Sequence, residues 1–366
     1  MTAPRQPPPA GPEVSADAVR FGLADPDGAL AAVRLLPALS LPVRPPDFDR
    51  TGGGWVLRLP RPPVWRMEYR LQLQHADGSV EEICDPGNPL RAPGAFGEKS
   101  VVEFPDYAAP RWLSADRADG GTVDLAVPTR ALGHPVAVRL WSPVGAEPGQ
   151  VLPLLVAHDG PEYERLADLS GYAAAMVAGP LPPFRMALLA PGERDEDYSA
   201  NPVYARALAR DVLPAVRRTV GVAGPVVGLG VSLGGLAMLH AQRRHPGVLG
   251  GLFLQSASFL DRRLDPQEEE RFGRFPRVSR FVAETLRHAP PCPPVPVTLT
   301  CGLAEENLAN NRQMAAGLAG QGYPARLVEV PDAHNYIAWR DALDPALTDL
   351  LASLWAGSPV PGMIGG

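Results

Sequence analysis

The residues best placed to do chemistry lie in Gly-Leu-Gly-Val-Ser-Leu-Gly-Gly-Leu, positions 228 to 236, with Ser232 at the centre. An apolar run, Pro225 to Leu229, leads in, and a helix-forming run, Leu236 to Arg244, leads out. A serine on such a strand-to-helix corner presents its hydroxyl as a nucleophile. Gly230 and Gly234 remove side chains that would collide where strand and helix cross, which is the G-x-S-x-G nucleophile-elbow pattern. A serine hydroxyl is weak alone and needs a general base within hydrogen-bond reach. Of the seven histidines, His334 is the one that follows a late strand and precedes a final helix. His75, His134, His240, His245 and His288 fall on other strands, turns or helices, and His158 lies in a loop considered below. An acid that fixes the imidazole tautomer is expected after the strand Val297 to Cys301. Glu305 is the first choice there and Glu306 the second, although a glutamate ahead of a helix is also favourable with no catalytic part. Asp332 is a third carboxylate, but two neighbours on one loop seldom point at each other.

The elements that must position these groups change rhythm along the chain. From Ala16 to about Leu113 the pattern is short strands. Trp55, Leu57 and Leu59 alternate with Val56 and Arg58. Met67, Tyr69, Leu71 and Leu73 alternate with Glu68, Arg70, Gln72 and Gln74. Asp77-Gly78 is a hairpin signal, and Val80 to Cys84 returns. One helix is considered in this half, at Pro26 to Leu36. The half reads as a small β-sandwich.

After it, strands at Val123–Val127 and Val136–Trp141 open a second region. Strands then alternate with helices: Leu152–Ala157, Met186–Ala190, Val226–Gly230, Leu252–Gln255, Val297–Cys301 and Arg326–Val330 against Tyr172–Val177, Val203–Val220, Leu236–Arg244, Arg277–Arg287, Leu308–Gly320 and Arg340–Trp355. Alternation of this kind implies a mostly parallel sheet covered by helices. Reactive groups collect at the carboxyl ends of such strands. The order Ser232, acid, His334 is that of an α/β-hydrolase domain. The expected divisions are a lead-in at 1–15, the sandwich at 16–115, the hydrolase domain at 120–357 and a tail at 358–366.

An oxyanion needs two preorganised donors. The N–H of Leu233, directly after the serine, is one. The N–H of Asp159 or Gly160, in the loop His158-Asp159-Gly160-Pro161 after an early strand, is the other. Arg194 and Tyr198, in a charged segment at the active-site edge, are candidates to touch substrate, against a solvated loop with internal ion pairs. An arginine-rich insertion between Asp261 and Arg287 sits where lids occur, but Asp265 and Glu268 to Glu270 neutralise much of it.

The formal net charge of −6 argues against a general affinity for nucleic acid. No signal-peptide core or membrane-length apolar run is visible. Cys84, Cys292 and Cys301 are scattered, which suggests neither a disulfide framework nor a zinc site. These features predict a cytoplasmic protein with no metal or cofactor. The oligomeric state is open, a homodimer being one option.

Three stretches together resemble the esterase D superfamily, and within it the enterochelin (enterobactin) esterases. They are Gly-Val-Ser-Leu-Gly-Gly-Leu-Ala from 230, Leu-Gln-Ser-Ala-Ser-Phe at 254–259, and Ala-His-Asn-Tyr-Ile-Ala-Trp-Arg-Asp-Ala-Leu at 333–343. Arg194 to Pro202 resembles the family's R-x-x-E-Y/L segment. Tyr69-Arg70-Leu71, Asp85-Pro86-Gly87-Asn88-Pro89 and Ser100-Val101-Val102 resemble the immunoglobulin-like early-set module that precedes the esterase domain in those proteins. The resemblance implies a serine esterase acting through Ser232 and His334 by an acyl-enzyme. Its substrate would be a small-molecule ester, in the siderophore branch the lactone of an anionic ferric catecholate. Phe259-Leu260 and Tyr336 depart from tryptophan-rich positions of that branch. A similar D-P-x-N-P run in glycogen-binding-like modules makes an acetyl or feruloyl sugar ester the alternative. An acyltransferase on the same scaffold is another, and a non-catalytic carbohydrate-binding protein led by the sandwich a third.

Overall fold

The computed structural model describes residues 11–40, 46–289 and 293–356. Most of the expected lead-in, the tail and Cys292 lie outside the described residues. The chain divides into two compact units. The smaller takes Met1–Ala108, Gly302–Glu306 and Val330–Ala338; the larger takes Ala109–Cys301, Asn307–Glu329 and Trp339–Gly366.

The smaller unit is a sandwich of two antiparallel sheets. One has the order Glu13–Val14, Ala18–Ala24, Gly54–Pro60, Asp49–Thr51. The other has the order Leu30–Pro37, Arg66–His75, Lys99–Glu103, Arg91–Ala92, with Val80–Ile83 also paired to Arg66–His75. Alternation builds the core between them. Val19, Phe21, Trp55 and Leu57 from the first sheet meet Val33, Leu35, Met67, Tyr69, Leu71 and Leu73 from the second. The Asp77-Gly78 turn forms, with Gly78 at φ +88°, where only glycine is unstrained. The helix expected at Pro26–Leu36 is instead the strand Leu30–Pro37. Its local alanines favour helix, but pairing of Val33 with Leu73 and Leu35 with Leu71 buries two large side chains and prevails. Arg66 and Glu68, on the polar side of the alternation, are buried as well.

The larger unit carries an eight-stranded sheet ordered Gly120–Val127, Val136–Pro143, Arg185–Leu189, Leu154–Ala157, Val227–Val231, Gly251–Gln255, Val297–Gly302, Ala325–Val330. The first two junctions are antiparallel and the next four parallel. The central strands Arg185–Leu189, Leu154–Ala157, Val227–Val231 and Gly251–Gln255 are buried throughout, as strands covered on both faces must be. The long helix expected at Val203–Val220 forms from Pro202 to Thr219, with a π-helical turn at Leu208–Val212. The one expected at Arg340–Trp355 is broken into Tyr336–Asp341, Leu343–Leu347 and Thr348–Trp355. Pro345 causes the break, because it lacks the N–H a helix needs and displaces the residue before it; Asp344 is non-helical at φ −115°, ψ 126°. The helix Gly160–Ala167 is an addition to the expected elements: Pro161, expected in a loop, occupies the first helical turn, where proline is favoured. The insertion's helix Phe275–Arg287 seats Val278 and Val282 in the main core. Arg274 and Arg277 pair with Glu196, so two of its basic residues are neutralised. Among the described residues no helix is long and apolar enough to cross a membrane.

Candidate active site

The buried strand Val227–Val231 runs straight into Ser232, and the helix Leu233–Arg244 begins at the next residue. Ser232 has φ +51° and ψ −124°, a region that costs a non-glycine residue about 1–3 kcal/mol. The surroundings enforce it. The Ser232 N–H donates to the Gln255 carbonyl at 2.9 Å, and the Ser232 carbonyl accepts from Gly235, Leu236 and Ser258. A Cβ on Gly230 would lie 2.4 Å from the Gly234 backbone, and one on Gly235 would lie 2.9 Å from Ala257. The half-buried Ser232 hydroxyl has Ser258 Oγ at 3.0 Å. Leu233 is the first residue of the helix, so its N–H has no intrahelical carbonyl to bind.

The strand Leu154–Ala157 delivers His158 beneath this corner. His158 is fully buried and both ring nitrogens are engaged, Nδ1 with the Gly234 carbonyl at 2.9 Å and Nε2 with the Tyr204 hydroxyl at 2.9 Å. The carbonyl can only accept, so these partners assign the proton to Nδ1. Burial pushes the imidazole down to about 4, which keeps it neutral. His158 therefore braces the elbow. Asp159 follows in the left-handed region at φ +52°. Its carboxylate receives a two-pronged contact from Arg194, Nε at 2.7 Å and a terminal nitrogen at 2.8 Å. Its N–H donates to the Tyr198 hydroxyl at 3.4 Å. Gly160 opens the next helix, and a Cβ there would lie 2.6 Å from the backbone of Leu188.

Tyr198 departs from the expectation of a substrate contact. The segment Arg194–Tyr198 is a short helix, and Tyr198 is 0% exposed, its ring stacked on His158 with centroids 4.4 Å apart. The tyrosine turns inward because its ring fills the space under the histidine. Arg194 lies over the Tyr198 ring at 5.6 Å and holds Asp159, which makes it part of the same brace.

The acid and the histidine are in the smaller unit. Strand Val297–Gly302 ends where the Gly302 N–H donates to Glu305 Oε1 at 2.8 Å. Glu305 Oε2 lies 3.0 Å from His334 Nδ1, with the Glu305 side chain 0% and the His334 side chain 29% exposed. Glu306 accepts from the Ser40 hydroxyl instead. Burial pushes the Glu306 carboxyl up, yet the Ser40 hydrogen bond, its own N–H and the charge of His334 together leave it below the usual range. Asp332 accepts from the N–H of Ala333 at 2.8 Å and from Asn335 Nδ2 at 3.0 Å. Burial pushes its carboxyl up to about 6, against the lowering charge of Arg66. Of the three carboxylates, Glu305 makes the hydrogen bond to the ring.

Two features of the serine's surroundings carry no sequence signal of their own. Ser258, within the Leu254–Phe259 motif, is one. Gln255 carries a buried network: it accepts from the Tyr163 hydroxyl and donates to Thr300 Oγ1 at 3.2 Å and to the Trp339 carbonyl at 3.0 Å. Trp339 Nε1 in turn donates to Ser256 Oγ at 2.9 Å. Among the described residues no group of three or more His, Cys, Asp or Glu side chains is placed to hold a metal ion.

The chain is similar in structure to the ferric enterobactin esterase of Salmonella typhimurium, with TM-score 0.71 and 19% identity over 95% of this chain and 97% of that one. The enterobactin esterase of Shigella flexneri, solved in the presence of 2,3-dihydroxy-N-benzoyl-glycine, gives TM-score 0.70 and 18% identity over 95% and 96%. A ferulic acid esterase gives TM-score 0.54 and 16% identity, covering 65% of this chain and 99% of its own. No curated protein sequence matches the chain. Residues 129–350 match the family model Esterase, described as "Putative esterase". That stretch is more than half of the chain and spans Ser232, Glu305 and His334, so the chain belongs to this esterase family.

Proposed function

We propose that the chain is a serine carboxylic-ester hydrolase in which Ser232, His334 and Glu305 work as one constellation. Ser232 Oγ attacks the ester carbonyl. His334 Nε2 takes the hydroxyl proton and gives it to the leaving alcohol, and Nδ1–H stays on Glu305, which stabilises the imidazolium. The N–H groups of Leu233 and Gly160 receive the oxyanion; the Asp159 N–H is already engaged by Tyr198. Water then enters, and the same base returns Ser232. The observation that carries this reading is the backbone of Ser232, a positive φ at the junction of a buried strand and a helix. Strain of that kind persists where the surroundings over-determine it, as they do at functional sites.

For substrate, we favour a catecholate siderophore lactone acted on in the cytoplasm. The support is coverage: the enterobactin esterases align with 95% of the chain, sandwich included, whereas the ferulic acid esterase aligns with 65%. A sugar ester is the second reading, supported by that shorter match. The test is hydrolysis of ferric enterobactin, feruloyl and acetyl sugars and p-nitrophenyl butyrate by the wild type and Ser232→Ala. We expect turnover of the catecholate and a loss of about 10⁶-fold in kcat for the mutant, as for a coupled triad member. Near-normal turnover in Ser232→Ala would refute the mechanism. Turnover of the sugar esters alone would reverse the substrate order, and acyl transfer to an added alcohol in preference to water would identify a transferase.

A further inference from the structure

The loops that carry Glu305 and His334 are packed into the sandwich. Ala304 and Ala333 belong to the sandwich core, and Ile337 packs with Ala92 and Val101. The Ser40 N–H donates to the Ala304 carbonyl at 2.9 Å, and the Trp65 N–H donates to the Pro331 carbonyl at 2.7 Å. Beside Trp65, the Arg66 side chain is 3% exposed. Its terminal nitrogen lies 3.6 Å from Asp332 Oδ2, with Glu68 at 3.8 Å and Glu103 at 3.9 Å from its other nitrogens. Its guanidinium also sits over the Tyr107 ring at 5.5 Å. Asp332 binds Asn335 Nδ2, and Asn335 Oδ1 accepts from the Ala338 N–H at 2.9 Å, inside the first turn of the following helix. Asp332 and Asn335 stand on either side of His334 in sequence.

We propose that Arg66 is a positioning residue for the reaction, fixing through Asp332 and Asn335 the loop that holds His334 against Glu305. The proposal rests on the esterase reading only for its catalytic consequence. A guanidinium buried among three carboxylates is a costly arrangement, and a pure core position would be filled more stably by an apolar side chain. What the charge adds is a fixed place for Asp332. The sandwich thereby positions the loop that carries His334.

The test uses the full chain with Arg66→Met, Arg66→Lys and Asp332→Asn. Amide hydrogen exchange across residues 330–338 is read without any ester. We expect it to quicken by about ten-fold in Arg66→Met while the strand Val227–Val231 stays protected. On p-nitrophenyl butyrate, kcat should fall by about 100-fold with KM within about two-fold of wild type, as for a displaced catalytic group. Arg66→Lys, which keeps the charge, should recover most of both. If Arg66→Met fails to fold, Asp332→Asn removes the charge pair at constant shape and should give the same pattern. Wild-type exchange and wild-type kcat in the folded variants would overturn the proposal. A wild type that neither turns over esters nor labels at Ser232 with a fluorophosphonate would instead overturn the esterase reading, and the exchange data would still decide whether Arg66 holds the loop.

Discussion

Ser232 and His334 are held in opposite ways. Ser232 is fixed by regular structure: a buried strand, a helix start, and glycines at 230 and 235 that admit no side chain. His334 lies on a loop between a strand and a helix, and its place depends on side chains: Glu305 at its ring and Asp332 and Asn335 beside it. The place of Ser232 is thus a property of the backbone, and the place of His334 is a property of a hydrogen-bond network. Backbone geometry tolerates changes in neighbouring side chains; a network loses its function when one member changes.

The sharpest test of this contrast is Glu305→Gln. The amide keeps the shape but offers His334 the wrong partner, so kcat should fall by about 10⁴-fold, as when a triad acid is made neutral. Fluorophosphonate labelling and ester kinetics measure it, and a loss below ten-fold would show that His334 is oriented by something other than Glu305. The next effect is on the serine's side and is a matter of stability. His158 has a folded pKa of about 4 against 6.5 for the free group. As pH falls below 6.5, the unfolded chain takes a proton that the folded chain refuses until about 4. Stability is therefore full above 6.5 and is lost between those values, by about 3 kcal/mol for this fully buried ring. Urea unfolding at pH 7 and near pH 4 should show that loss in wild type and a smaller one in His158→Gln. His240, pushed down to about 3 by burial, contributes equally to both proteins. Equal losses would place the acid sensitivity elsewhere. The smallest effect is expected for Ser258→Ala, which removes one neutral hydrogen bond from Ser232. A cost of about 1 kcal/mol, or roughly five-fold in kcat/KM, is expected. A hundred-fold loss would make Ser258 a participant in proton transfer and the elbow less self-sufficient than its backbone suggests.

Much of the architecture was legible because it is periodic. The Met67–Leu73 alternation, the hairpin at Asp77-Gly78 and the β–α rhythm of the larger unit follow from side-chain spacing. The pairing of Glu305 with His334 was legible for the same reason, since both follow late strands of the β–α rhythm. What escaped is what depends on contacts far apart in sequence. Nothing near Arg66 and Glu68 signals that both are buried, because the residue that explains it, Asp332, arrives 266 positions after Arg66. Tyr198 reads as the end of a charged loop until His158 supplies the ring it stacks on. The segment Pro26–Leu36 has local helix propensity, and only its distant partner, Arg66–His75, makes part of it a strand. Pro161 and Pro345 show that proline alone does not say whether a helix starts or breaks.

The smaller unit is assembled from three stretches of chain, the last of them Val330–Ala338. A ribosome finishes Ala108 and then adds more than two hundred residues before Val330, roughly 20 s of synthesis at about 10 residues per second. Through that interval the nascent sandwich has every strand it needs and lacks Ala333 in its core. The first-made domain is consequently completed only near the end of synthesis, and a chain truncated before Val330 would leave that core open as well as losing His334.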